Sequence, residues 1–295
     1  MHRIKAAAIG ANELALALVS KVSETESGMR IVCVGQDGPQ EIDFPTLQGI
    51  NGDFYKKDLT EILNNPEIDV VFDCRSLAAR NPKIAKLLAK TDKPIIDMVA
   101  QSMASIVPAM NGEVKSSGIF TLGSYAAQAA VPVIAAVNSV TPVTYTEIVV
   151  TTPSRMADTE ARLHLDEIMA STNQAACDLG GAQRAKTILL LNPAEPPFPM
   201  RATIYCLLED SSKFDALTEA VSDAVACVQT YVPGYSLRFA PEMDRDRLVV
   251  MVEVVGDGKA VQSYAGNLEI VIDAALAFVR MEAGNLVTGK EQNDE

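Results

Sequence analysis

The sequence predicts an α/β protein in two parts: a doubly wound parallel sheet, then an α+β domain with a mixed, largely antiparallel sheet. Up to residue 126, short and continuously apolar runs alternate with helical periodicity at βαβ spacing, the pattern of parallel strands buried on both faces. Beyond that point, β-rich runs alternate with amphipathic helices. The chain has 295 residues, 48% of them hydrophobic, which is enough for two domains of ordinary size.

Lys5–Ile9 is a short apolar run entering Gly10, and Asn12–Val22 reads as a helix with Leu14, Ala15, Leu18 and Val22 on one side. Met29–Gly35 is the second strand, closed by the turn signal Gln36-Asp37-Gly38-Pro39. This unit has the length of a βαβ motif. Asp69–Asp73, a helix from Pro82 to Lys90, Pro94–Met98 and Gly118–Thr121 continue the alternation. A helix at Gln128–Val140 then leads into strands at Thr144–Thr152, Lys186–Leu191, Arg201–Leu208 and Arg247–Val255, interspersed with helices at Leu165–Asp178 and Lys213–Thr230. The last helix, Leu268–Glu282, carries an apolar stripe through Ile270, Ala274, Ala277, Phe278 and Met281 that needs a docking surface.

Composition removes several function classes. The 25 Lys and Arg against 38 Asp and Glu give a formal charge of -13, which repels nucleic acid and anionic membrane surfaces. No apolar run approaches the ~18 residues of a membrane helix, and the N-terminus shows no signal-peptide pattern. Cys33, Cys74, Cys177, Cys206 and Cys227 are odd in number and irregularly spaced, which fits reduced thiols better than disulfides or a zinc site. A cytoplasmic protein without metal is the expectation.

Three segments, in fixed order, resemble the acylating acetaldehyde dehydrogenases of aromatic meta-cleavage pathways. They are Asn192-Pro193-Ala194-Glu195-Pro196-Pro197, Tyr231-Val232-Pro233-Gly234-Tyr235, and Tyr264-Ala265-Gly266-Asn267-Leu268-Glu269-Ile270. With Gln128–Pro132 and Asp166-Glu167, the resemblance covers roughly residues 118–283. It implies a Rossmann-like dinucleotide-binding domain at 1–126 completed by a C-terminal helix at 266–284, a catalytic and dimerisation-type domain at 127–265, and a charged tail at 285–295. It also implies a homo-oligomer, and a complex with a 4-hydroxy-2-oxoacid aldolase as a possible further partner.

The resemblance implies NAD as cofactor, with contacts at Gly10, Asn12, Asp37, Asn192 and Asn267. The family has G-x-G-x-x-G at the first βα turn, where this chain reads Gly10-Ala11-Asn12-Glu13-Leu14-Ala15. The second glycine admits the pyrophosphate and the third permits close helix packing. Asn12 puts a side chain where phosphate oxygens would lie, and Glu13 adds negative charge at an anion-binding helix end. NAD binding is therefore expected to be weakened or lost. Asp37, past the second strand, is placed either to take ribose hydroxyls or simply to form a turn.

The family's nucleophile motif is Cys-Gly-Gly-Gln followed by Pro. Reading back from Gln128 and Pro132, this chain has Tyr125-Ala126-Ala127-Gln128. A phenol with a pKa near ~10 stays protonated at neutral pH and cannot replace a thiolate in thioester chemistry. Ala126 and Ala127 crowd the region where glycine amides would meet a substrate oxygen. Ser124 is the only neighbouring hydroxyl, and His164 has the context of a helix-start residue. The family's Ser-Ala-Gly-Pro-Gly-Thr-Arg loop is here Met156-Ala157-Asp158-Thr159-Glu160-Ala161-Arg162, followed by Asp166. The resemblance sets Asp166 near the nucleophile; its sequence position alone makes it a first-turn helix acid. These changes predict a divergent, non-catalytic relative. The alternatives are an oxidoreductase on another carbonyl substrate with Tyr125 as proton donor, and an ordinary acetylating dehydrogenase.

Overall fold

The computed structural model describes residues 4–10, 12–24, 28–35, 56–57, 59–75, 86–99, 105–110, 118–157 and 162–282. The chain divides into two compact units. One holds residues 1–99, 112–122 and 275–295; the other holds 100–111 and 123–274.

In the first unit, β1 (Ile4–Ile9) is followed by α1 (Glu13–Glu24), β2 (Met29–Gly35), β3 (Lys56–Lys57), α2 (Leu59–Asn64), β4 (Val70–Asp73) and β5 (Ile95–Asp97). A further strand, β7 (Ile119–Leu122), follows the two-residue β6 (Ser105–Ile106), which clusters with the second unit. The strand order β3-β2-β1-β4-β5-β7 is parallel throughout. Such a sheet needs cover on both faces, and its strands are accordingly apolar along their whole length. β4 and β5 are buried at every residue. Ala7, Ile9 and Val71 meet Leu59, Ile62 and Leu63 of α2, whose i, i+3, i+4 spacing forms one helical stripe. The chain runs from β1 to β2 on one side and returns to β4 on the other. The topological switch point therefore lies between β1 and β4, with Ile9 opposite Asp73 at their carboxyl ends.

The second unit starts with α3 (Tyr125–Val140) and β8 (Val143–Pro153). It continues through α4 (Leu165–Asp178), β9 (Ala185–Asn192), β10 (Met200–Leu208), α5 (Phe214–Gln229), β11 (Tyr235–Leu237), β12 (Glu242–Asp244) and β13 (Arg247–Val254). The sheet order is β11-β13-β10-β8-β9, with β12 paired to β13. Only the β8–β9 pair is parallel among the described strand pairs of this sheet. Residues of β10 and β13 alternate between buried and half-buried, the signature of a sheet with one covered face. Helix α3 packs on β8 and β10 and is flanked by α4 and α5.

The last helix, α6 (Gly266–Met281), contributes residues 266–274 to the second unit and 275–281 to the first. Its stripe is buried at Ile270, Ala274, Ala277 and Phe278, the last of these tilted against Phe120 at 5.2 Å between ring centres, whereas Met281 is exposed. Apart from the helix expected at 82–90, the expected strands and helices are present within three residues of their predicted ends. α2, β3, β6, β11 and β12 are additions, all short. The expected helix at 82–90 is described only from residue 86, and residues 86–88 are helical. Of the cysteines with described side chains, Cys74 and Cys206 are buried thiols, Cys177 is half-buried and Cys227 is exposed; none is in a disulfide.

Candidate functional site

In the first unit, chemistry-bearing groups gather at the switch point. Gly10 leaves β1 at φ +133°, and a Cβ there would lie 3.1–3.2 Å from the backbone of Cys74 and Arg75. Only glycine fits both the angle and the space. The Asn12 carboxamide then bridges two elements. Its Oδ1 accepts from the Ala15 amide at 3.0 Å, capping α1, and its Nδ2 donates to the Cys74 carbonyl at 2.6 Å. The flipped amide would set oxygen against oxygen and N–H against N–H, so the orientation follows from its partners.

Immediately beyond Cys74, the Arg75 guanidinium forks onto Asp73, Nε to Oδ1 at 2.9 Å and Nη2 to Oδ2 at 2.7 Å. The Arg75 backbone amide also donates to Asp73 Oδ1, at 3.1 Å. Both side chains are 3% exposed. This pair belongs to no motif. An acid and a base two residues apart at the end of the apolar strand Val70-Val71-Phe72 were the available signal, since such a position is buried and its charges must be matched. Asp37 lies outside the described residues.

In the second unit, Ser124 is the N-cap of α3, which begins at Tyr125, three residues before the helix predicted from Gln128. Ser124 Oγ accepts from the Ala127 amide at 3.0 Å and lies 2.6 Å from Thr172 Oγ1 on α4. Thr172 donates its single hydroxyl proton to the Ile168 carbonyl at 2.7 Å. The proton between the two hydroxyls is therefore that of Ser124. Both hydrogen-bonding roles of the Ser124 hydroxyl are used for structure, which removes it as a nucleophile.

Tyr125 takes the first helical position. Burial pushes its phenol up to about 12, and no charge or hydrogen bond acts on the hydroxyl among the described residues. Ala126 and Ala127 are fully buried. Gln128, also fully buried, donates to the Ile106 carbonyl at 2.6 Å, while its Oε1 has no partner. Asp166 is exposed in the first turn of α4. Neighbouring His164 pairs with Glu167 at 3.1 Å.

The segments that carry the family resemblance are held by packing. Gly234 and Gly266 sit so close to β13 that a Cβ at either would collide with the carbonyl oxygen of Val255 or Val254. Asn192 ends β9 and forms a turn, accepting from the Ala194 amide at 2.8 Å. Asn267 stands in the first turn of α6 with a buried, unpartnered Oδ1. Arg155 joins their neighbourhoods, pairing with Glu195 at 3.4 Å and lying over the Tyr264 ring at 5.4 Å. Arg162 donates to the carbonyls of Ser154 and Ala157 at 2.9 and 3.0 Å. No group of three or more His, Cys, Asp or Glu side chains suited to a metal occurs among the described residues. No described helix is long and apolar enough to cross a membrane.

Comparison with known proteins finds a match at residues 125–261 to the family model described as prokaryotic acetaldehyde dehydrogenase, dimerisation. An acetaldehyde dehydrogenase of Bacillus cereus is 34% identical over 298 residues, covering 99% of this chain and 98% of that one. An acetaldehyde dehydrogenase of Geobacillus stearothermophilus is 33% identical over 94% of this chain and 95% of its own length. Acetaldehyde dehydrogenase 3 of Rhizorhabdus wittichii is 33% identical over 98% and 99%.

Proposed function

The chain belongs to the acetaldehyde dehydrogenase family, and we propose that within it this protein is a non-catalytic, complex-forming member that does not convert acetaldehyde to acetyl-CoA. The family reaction needs a thiolate to attack the aldehyde, pass a hydride to NAD and hold the acyl group until CoA removes it. The observation that carries the reading is Tyr125. It stands at the first position of α3, where the motif places the nucleophile, and its phenol keeps its proton. An aryl ester formed there would offer CoA none of the reactivity of a thioester. The neighbouring hydroxyl, Ser124, is tied to Ala127 and Thr172. Turnover is the test: purified protein with acetaldehyde, CoA and NAD should produce no NADH above the enzyme-free rate.

A second reading is favoured by the same hydroxyl. Raised to about 12 and without an internal acceptor among the described residues, it suits donation to a substrate carbonyl in a repurposed reductase. Oxidation of NADH or NADPH by a panel of aldehydes and ketones, abolished by Tyr125→Phe, would favour it. The third reading, an ordinary acetylating dehydrogenase, rests on full-length similarity alone and predicts robust turnover in the first assay.

Assembly is part of the proposal. On the face of the second sheet away from α3, half-buried Ile188, Val149, Thr203 and Met251 form one row across four strands. The Arg201–Glu253 pair, at 2.7 Å, lies in the adjacent row. A largely apolar row beside opposite charges suits pairing with a second copy of the same face, and we assign it to a homodimer. An aldolase-like partner is the further association the family resemblance supports. Light scattering should give a mass above the 31.5 kDa of one chain at micromolar concentration; a monomer would refute the dimer.

A further inference from the structure

We infer that the nucleotide crevice of the first unit is closed by the protein's own side chains, so that this chain binds neither NAD nor NADP. In a doubly wound sheet, a dinucleotide lies across the carboxyl ends of the strands at the switch point, its pyrophosphate on the amides that open the first helix. Here that place lies between Ile9 and Asp73, and the residues present do not fit the group. The inference deepens the non-catalytic reading, but it rests on other residues and has an independent test.

Three features close the crevice. The Ala15 amide, in the first turn of α1, already donates to Asn12 Oδ1. Asn12 Nδ2 is bonded to the Cys74 carbonyl, so the carboxamide spans from α1 to the end of β4. A phosphate taking the place of the carboxamide would have to break both bonds, and its oxygens cannot donate to the carbonyl left behind. Arg75 and Asp73 then set a buried, doubly hydrogen-bonded ion pair on the rim of the same strand end. Among the described residues there, the guanidinium is the charged side chain able to attract a phosphate, and it is held by a carboxylate two residues away. A nucleotide must compete with that carboxylate for it, at the cost of leaving a buried charge unmatched. Glu13, in the first turn of α1, adds repulsion at the helix end.

The arrangement also explains why the second glycine of the fingerprint is dispensable here. In a binding protein that residue is small to admit phosphate, whereas here its replacement performs the capping that phosphate would otherwise perform. The closed crevice is thus a stabilising element of the fold.

Calorimetry and NADH fluorescence on the full chain test the inference directly. Wild type should show no saturable signal with NADH, NADPH or NAD up to millimolar concentration, and no change of Tm with any of them. Asn12→Gly, and Asn12→Gly with Asp73→Asn to release the Arg75 guanidinium, should show a lowered Tm, and the double variant should gain saturable NADH binding at least tenfold above the wild-type limit. Saturable wild-type binding at micromolar concentration overturns the inference, even if acetaldehyde turnover remains absent. A folded double variant, with native circular dichroism, that still binds nothing overturns it too, because these side chains would then not be what closes the site. Should the double variant fail to fold, Asn12→Gly alone provides the readout through the Ala15 amide. Its NMR resonance should shift on adding pyrophosphate in the variant and stay fixed in wild type; the same shift in wild type overturns the inference.

Discussion

Replacing Ser124 with alanine tests whether the hydroxyl next to Tyr125 is structural. The side chain is buried, caps the Ala127 amide at 3.0 Å and donates to Thr172 Oγ1 at 2.6 Å. Loss of the cap costs about 1 kcal/mol, and the net value of the second bond is about 1 kcal/mol. Ser124→Ala should therefore lower unfolding free energy by roughly 2 kcal/mol. Thr172→Val removes the same inter-helix bond and the one to Ile168, and should cost roughly 1 kcal/mol or slightly more. Because the inter-helix bond is counted in both, the double variant should fall short of additivity by about 1 kcal/mol. Urea denaturation of the four proteins, compared at constant slope, measures the cycle. Strict additivity would show that the two hydroxyls do not share a proton. A stability loss below ~0.5 kcal/mol for Ser124→Ala would refute the cap.

The Tyr125 phenol, raised to about 12 by burial, stays protonated in the folded state after the unfolded chain has begun to ionise near pH 10. Its contribution to stability is thus full below pH ~10 and lost as pH rises toward ~12. Tyr125→Phe should flatten that alkaline decline, measured by Tm against pH; an unchanged slope would show that burial does not act on this hydroxyl. Gly10→Ala should destabilise the first unit by about 2 kcal/mol or more, from backbone strain and the approach to Cys74 and Arg75, as read by thermal unfolding. The fully buried Tyr235 hydroxyl donates to the Ala129 carbonyl at 2.8 Å. Tyr235→Phe should cost about 1 kcal/mol in a denaturation titration.

Much of this architecture is legible in sequence because burial imposes a period. The continuously apolar Val70-Val71-Phe72 and the alternating residues of Met200–Leu208 differ in pattern for the reason their sheets differ, one covered on both faces and one on a single face. Short elements such as Leu59–Asn64 and Glu242–Asp244 carry too few residues to establish a period. The start of α3 is marked by Ser124, whose hydroxyl caps the helix three residues before the apolar periodicity from Gln128 becomes clear. At the site, spacing located Gly10, Asn12 and Tyr125, each by comparison with a motif. It could not show that Asn12 bonds across to Cys74, since that contact depends on the fold bringing two chain segments together, whereas the Asp73–Arg75 pair, two residues apart, is within reach of the sequence. Asn192 and Asn267 were marked by their motifs, whereas Arg155, which links those segments, stands in no motif.

The central claim is that Tyr125 and its surroundings have lost thioester chemistry. Acetaldehyde oxidation tests it most directly, followed as CoA-dependent NADH formation by wild type, Tyr125→Cys, and Tyr125→Cys combined with Ala126→Gly, Ala127→Gly and Asn12→Gly. A thiol alone should not suffice, because damage to an oxyanion site costs ~10²–10³ in rate and parts of a catalytic unit act together. The account predicts no turnover by wild type or by the single variant. Robust, CoA-dependent NADH formation by wild type would contradict it.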